Sequence, residues 1–251
     1  MESLPDALDD GLYYGHDVGA WVEDKHKLVA LYQTLFSTGM KHKWENRVYI
    51  DLFSGPGLVR VRGSGKFLWS SPLLALHAKD PFDRYIFCES NVEALDALRV
   101  RVKKLFPHAD VCYVAGDCNK EVEAICRNIP TPSRDKKVLS FCFVDPYDLS
   151  VRFSTIRKIS ERFVDFLILL ALGMDANRNL QHYLDPMNQK LDEFLGLRDW
   201  RDRWLQASLK VRSDVRNLPL YHLALFSRHT LAYDLWEDVL RYSNSQSSFS
   251  Y

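Results

Sequence analysis

Apolar positions along the chain follow two alternating patterns. Short, nearly continuous apolar runs recur at "RVYIDLF" (47–53), "DRYIFCES" (83–90), "DVCYVAGD" (110–117), "VLSFCFVDP" (138–146) and "VDFLILLAL" (164–172). Runs of this length between turn residues predict buried strands. The segments between them repeat apolar residues every three or four positions, which predicts amphipathic helices. "SPLLALHAK" (71–79) opens with Ser71 as N-cap and Pro72 at the first helical position. Leu95, Leu98, Val102 and Leu105 mark a helix that ends before Pro107, and Val122, Ile125, Cys126 and Ile129 mark another. "STIRKISERF" (154–163) is a further helix. Strands buried on both faces and alternating with helices predict an α/β, Rossmann-like fold. Its central sheet is mostly parallel and carries helices on both faces.

The same patterning divides the chain. Residues 1–46 are expected to be an N-terminal helical segment, in which Leu28, Leu31, Tyr32 and Leu35 recur at helical spacing. That helix brings Trp21, Lys25 and Lys27 near the loop after the first strand. Residues 47–174 form the core. Residues 175–217 change character, being polar, aromatic and rich in both charges, and are read as a helical insertion or cap. Residues 218–243 return to strand and then helix, completing the core, and the serine-rich stretch 244–251 is expected to be a flexible tail.

Composition narrows the class. At 251 residues, 47% hydrophobic and 26% charged, the chain is an ordinary globular protein with one sizeable core. Its formal net charge of zero removes the global basic field of many nucleic-acid binders. The charge is uneven, however. Glu2, Asp6, Asp9, Asp10, Asp17, Glu23 and Asp24 precede the first lysine, after which bases dominate through Lys66. The longest apolar stretch, Phe166 to Met174, is far short of the roughly 18 residues of a membrane helix. No basic-then-apolar leader is present, so a cytoplasmic protein without membrane association is expected. The 5 cysteines include no C-x-x-C pair, and neither a metal site nor a disulfide framework is predicted.

Candidate chemistry begins where the first strand ends. "YIDLFSGPG" (49–57) places Asp51 before a turn containing Gly55 and Gly57, which lets the backbone approach a ligand closely. The dinucleotide fingerprint fails because Arg60 stands where a third glycine is needed. The P-loop pattern fails at Arg60 and Phe67. What remains, an acid opening a D-x-F-x-G-x-G turn, fits S-adenosylmethionine. Asp51, Phe53, Ser54, Gly55, Pro56 and Gly57 are therefore candidate cofactor residues, with Asp51 facing the cationic methionine end. Further acids end the following strands. Glu89, with Ser90, would accept from the ribose hydroxyls, and Asp117, with Cys118, would lie against the adenine. The fourth strand ends in "FVDPYD" (143–148), making Asp145, Pro146 and Tyr147 the candidate catalytic residues.

Enzymes that methylate exocyclic amines of nucleobases carry an Asp-Pro-Pro-aromatic tetrad at this place, where the carboxylate orients the amine and the ring stacks on the extruded base. Here Asp145 and Pro146 match, Tyr147 replaces the second proline, and Asp148 stands where the aromatic is expected. Asp-Pro-Tyr resembles the Asp-Pro-Tyr/Phe-Gly of tRNA guanine-N2 dimethyltransferases. Arg60, Arg62, Lys66 and, in the cap, Arg178 are candidate substrate-binding bases for RNA, or secondarily DNA. Two other classes stay open: a SAM-binding subunit that does no chemistry alone, and a small-molecule or protein methyltransferase.

"WVEDKHKLVALY" (21–32), "YIDLFSGPG" (49–57), "SSPLLAL" (70–76), "CESN" (88–91), "AGDCN" (115–119), "FVDPYD" (143–148) and "LFSRHTLAYDLW" (225–236) together resemble the three-Cys-motif partner (TcmP) family. The chain departs from that family at Asp148, usually glycine, and at "RHTLAYDLW", where His-Pro-x-Gly is usual. The resemblance implies a bacterial protein with a class I methyltransferase fold, S-adenosylmethionine as cofactor and a three-Cys-motif protein as partner. The cysteines in the family's name belong to that partner.

Overall fold

The computed structural model describes residues 6–146, 151–170, 205–212, 219–227 and 230–247. In chain order the elements are β1 (Asp6–Ala7), α1 (Trp21–Met40), β2 (Asn46–Asp51), β3 (Leu58–Arg60), β4 (Phe67–Trp69) and α2 (Ser71–Leu76). They continue with β5 (Arg84–Glu89), α3 (Val92–Leu105), β6 (Val111–Ala115), α4 (Val122–Asn128), β7 (Val138–Val144) and α5 (Phe153–Ser160). After β8 (Val164–Leu170), β9 (Leu205–Arg212) and β10 (Pro219–Ser227) comes a last helix, α6 (Thr230–Ser247).

Alternation along the strands builds a core on each side of one seven-stranded sheet, ordered β6-β5-β2-β7-β8-β10-β9. Tyr49, Phe141 and Phe143 face one side, where they meet Tyr32 and Phe36 of α1, Leu73 of α2, Leu98 of α3 and Trp236 of α6. Val48, Ile50, Cys142 and Val144 face the other, against Ile125 of α4 and Ile156 and Ile159 of α5. A period of two on the strands thus meets a period near four on the helices. In α1 the buried stripe runs Val22, Val29, Tyr32, Phe36 and Met40. Tyr32 stands edge-on to both Phe141 and Trp236, each with ring centroids 5.2 Å apart.

The strands from β6 to β8 are mutually parallel, and β10 inserts antiparallel between β8 and β9. This strand order with a reversed penultimate strand is the class I methyltransferase fold, as expected from the sequence.

Three boundaries differ from expectation. Leu205–Arg212, assigned to a helical cap, is a strand paired with β10. Its sequence, LQASLKVR, alternates apolar and polar residues, a period-two signal that outweighs the polar, aromatic character of the stretch around it. The last helix runs on through Ser247, beyond the expected start of the tail at 244. The N-terminal segment is helical only from Trp21; before it, β1 joins the β3–β4 hairpin in a three-stranded sheet, and Val18 bridges Val61. The rest of the expected cap, with Arg178, lies outside the described residues, as does Tyr147.

Candidate active site

Asp51 and Glu89 are the last residues of β2 and β5, Asp145 follows β7 directly, and Asp117 follows β6 after Gly116. Because β6, β5, β2 and β7 are adjacent and parallel, these acids gather at one rim of the sheet. Ligands of open α/β sheets bind at such a rim, beside the strand where the order reverses. Here that strand is β2.

The turn after β2 is held from below and from the side. The amide of Leu52 donates to the carbonyl of Phe143 at 3.2 Å, and that of Ser54 to Cys88 at 3.0 Å. Gly55 donates to Glu89 Oε2 at 2.9 Å. That amide is therefore engaged by a carboxylate and is not free for an anionic ligand. Gly55 adopts φ +60°, with nothing within 4 Å of where a Cβ would stand. Gly57, at φ +88°, serves packing: a Cβ there would lie 2.9 Å from Leu98 Cδ1 and 3.1 Å from Leu73 Cγ. Its lack of a side chain lets α2 and α3 close against the turn, so of the two glycines only Gly55 borders open space.

Asp51 also departs from expectation. Its carboxylate is fully buried rather than presented to a ligand, accepting from the Tyr49 hydroxyl at 3.1 Å and the Phe53 amide at 3.2 Å. Gln33 of α1 donates to Tyr49 Oη at 2.9 Å and so links α1 to this acid. Burial first, with the nearby negative charge of Asp145 adding to it, raises the Asp51 pKa to about 7, despite hydrogen bonds from Ser71, Phe53 and Tyr49.

Glu89 braces two loops. While Oε2 holds Gly55, Oε1 accepts from the Asn91 amide at 2.8 Å and the Ser90 hydroxyl at 3.3 Å. Oε2 retains a further lone pair, so a ribose hydroxyl can still be bound there. Asp117 Oδ1 accepts from both the amide and the side chain of Asn119 at 2.9 Å, and Oδ2 makes no hydrogen bond among the described residues. Cys118 does not line the rim as expected. It is 3% exposed, packs in the core with Ile125, and burial pushes its thiol up to about 12.

Asp145 differs from the other acids in having a cation. Lys25 Nζ reaches Asp145 Oδ2 at 2.6 Å, with side chains 8% and 21% exposed respectively. Lys25 also lies over the Trp21 ring, 5.2 Å from its centroid. Pro146 is buried behind the acid. The sequence put Lys25 near the first loop but not on Asp145, since 120 residues separate them and only the docking of α1 on the sheet unites them.

The candidate substrate bases among the described residues are already engaged by the stretch ahead of them. Arg60 grips Asp17 through Nε at 2.8 Å and Nη2 at 3.2 Å and stacks on Tyr14. Arg62 donates to the Asp17 carbonyl, and Lys66 lies 3.7 Å from Glu23. The acidic N-terminus and the basic stretch after it thus neutralise one another. No metal-holding cluster occurs among the described residues. No helix among them is long and apolar enough to cross a membrane.

The donor set suits S-adenosylmethionine. Glu89 and Asp117 offer unused acceptor capacity for ribose and adenine, Gly55 leaves its side-chain space empty, and the buried Ser54 Oγ has no hydrogen-bond partner among the described residues.

No family model and no curated protein matches the sequence. The fold is similar to that of solved structures. A Legionella pneumophila protein of family DUF519 superposes with TM-score 0.59 at 12% identity, covering 87% of this chain and 91% of its own. A Klebsiella pneumoniae protein described as an O-methyltransferase gives 0.54 at 13%, with coverage of 87% and 84%. An O-methyltransferase of Bacillus cereus, solved with S-adenosylhomocysteine, gives 0.53 at 14%, with 85% and 84%. At these identities the likeness defines the fold, that of class I S-adenosylmethionine-dependent methyltransferases.

Proposed function

We propose that this protein binds S-adenosylmethionine and transfers its methyl group to an exocyclic amine of a nucleic-acid base, RNA ahead of DNA. The observation behind the choice is Asp145: an acid at the end of β7, followed by Pro146, ion-paired through one oxygen and with no hydrogen bond among the described residues at the other. When bound, the cofactor supplies a methyl group already activated on a sulfonium. The chain then has to position the acceptor. Asp145 Oδ1 accepts an N–H of the target amine and turns the nitrogen lone pair toward the methyl. Lys25 fixes the orientation of Asp145 and balances its charge. Glu89 and Asp117 hold the ribose and the adenine amino group, and the loop at Gly55 leaves them room. The Asp-Pro-Tyr motif gives Tyr147, next after Pro146, the role of stacking on the base.

A second reading has its own support. Because Arg60, Arg62 and Lys66 are engaged by Asp17 and Glu23, few phosphate-binding cations remain in this region, which favours a small-molecule acceptor. The motif resemblance adds a third element: we propose a three-Cys-motif protein as partner, either completing the site or delivering the acceptor.

The test is calorimetric titration with S-adenosylmethionine and S-adenosylhomocysteine, followed by labelled-methyl uptake on bulk RNA, DNA and small amines, with and without such a partner. Micromolar binding with uptake into RNA that weakens as salt rises supports the main reading. Uptake into a small amine alone replaces it with the second. Binding without uptake, even with the partner, removes the enzymatic reading.

A further inference from the structure

The stretch ahead of α1 is tied down at several points. Its anchor is Arg101 of α3, whose side chain is only 2% exposed. Nε and Nη2 grip the Asp10 carboxylate at 2.8 and 2.7 Å. Nη1 donates to the carbonyls of Tyr13, at 2.8 Å, and Pro56, at 2.6 Å, and Nη2 reaches the carbonyl of Leu12. Asp9 and Asp10 also cap the amides of Gly11 and Leu12, shaping the bend between them. The far end of the stretch is fastened separately. Tyr14 packs edge-on against Phe67, Asp17 holds Arg60, and Val18 exchanges backbone hydrogen bonds with Arg60 and Arg62.

A buried guanidinium carries a large desolvation cost, and a well-packed apolar residue commonly stabilises a fold as much. What Arg101 achieves that an apolar residue cannot is geometric. It fixes Tyr13 to Pro56, inside the glycine turn. From there the Tyr13 hydroxyl accepts from Asn91 Nδ2 at 3.2 Å, and the Asn91 amide in turn donates to Glu89. Tyr13 therefore spans the two loops, after β2 and after β5, between which the adenosyl group is placed by the proposed function. It is half-buried, and its hydroxyl keeps donor capacity beside the ribose acid.

We infer that Tyr13 is a cofactor-binding residue, carried to the adenosine side of the site by an N-terminal strap that Arg101 latches onto the glycine turn. The inference rests on the cofactor assignment of the preceding section. Its consequence is linkage: whatever docks the strap tightens adenosine binding, and adenosine binding holds the strap down to the same degree. Arg101 and Asp10 are positioning residues in this scheme, while Tyr13 touches the ligand.

Two measurements on the full chain test it. Hydrogen exchange across residues 9–18, with and without saturating S-adenosylhomocysteine, reads the coupling in the wild-type protein and needs no variant. Calorimetry with S-adenosylhomocysteine, adenosine and methionine, on wild type and Tyr13→Ala, reads the contact. The expected results are slower exchange of the strap when ligand is bound and an affinity loss of about tenfold for S-adenosylhomocysteine and adenosine alike. Arg101→Met should speed strap exchange in the free protein and weaken both ligands. Wild-type binding with unchanged strap exchange, and equal affinity in Tyr13→Ala, would overturn the inference and leave the cofactor assignment standing. Absence of wild-type binding to any of these ligands would remove both.

Discussion

Asp51 and Asp145 close neighbouring parallel strands, yet their surroundings oppose one another. Asp51 has no exposed surface, and its nearest polar groups are a phenol, an amide and a serine hydroxyl, all neutral. Asp145 keeps 21% of its side chain exposed and meets the ammonium of Lys25 at 2.6 Å. The first environment disfavours ionisation and lets the acid act as an internal tie beneath the glycine turn. The second pairs the carboxylate with a cation and leaves part of it within reach of an incoming ligand. Position at a strand end brings an acid to the functional rim; depth and the nearest charge decide whether it can react there.

Removing Asp145 should have the largest effect. Asp145→Asn keeps the shape of the side chain but removes the charge, and methyl transfer is expected to fall by about 1,000-fold, within the range of positioned acid–base groups. Affinity for S-adenosylhomocysteine, measured by calorimetry, should stay within about twofold. Unchanged turnover in this variant would strip Asp145 of its assigned role.

The two glycines sharpen the contrast between a turn that packs and a turn that opens. Gly57→Ala places a methyl 2.9 Å from Leu98 Cδ1 at a positive φ, so strain and overpacking combine to about 3 kcal/mol. Gly55→Ala meets open space and bears only the backbone strain, about 1 kcal/mol. Urea unfolding midpoints of the two variants report this difference. Equal losses would mean that close helix packing is not what Gly57 provides.

A smaller loss is expected at Lys25. Lys25→Met leaves the Asp145 carboxylate without its cation and free to rotate, and turnover should drop by about 10- to 100-fold. Because Lys25 acts through Asp145, the loss should appear in kcat with cofactor affinity unchanged, and Lys25→Arg should restore part of it. A loss confined to cofactor affinity would place Lys25 in the binding site instead.

How far the sequence anticipated these relations follows from the range of the interactions involved. Strands β2, β5, β7 and β8 were legible because their residues are buried on both faces and leave unbroken apolar runs, and the half-buried edge strand β6 because its run is equally apolar. The acids at their ends followed from parallel order alone. Strand β9 was missed although LQASLKVR alternates cleanly, since it lies beside a mixed, aromatic stretch that suggested helix. The inward turn of Asp51 and the burial of Cys118 could not be read, because one strand-end residue can lie above or below its loop with the same neighbours in sequence. Lys25 on Asp145 and Arg101 on Asp10 join residues 120 and 91 positions apart. Their pairing depends on how α1 and α3 dock, information that local pattern does not carry.

The remaining effect concerns Asp51 and is a matter of pH. Its pKa is raised from 3.8 to about 7 in the folded protein, so the native state holds this proton more tightly than the unfolded chain. Its contribution to stability is accordingly present in full below about pH 4 and is lost progressively as pH rises to about 7. Asp51→Asn cannot ionise, and its amide oxygen can still accept from Tyr49 and Phe53. The difference in melting temperature between the variant and wild type should move in the variant's favour from about pH 4 to 7 and then level off. Parallel melting curves across that range would show that Asp51 ionises as readily in the fold as out of it. Asp51 would then belong beside Asp145 as an acid open to ligand, and the contrast between the two strand ends would collapse.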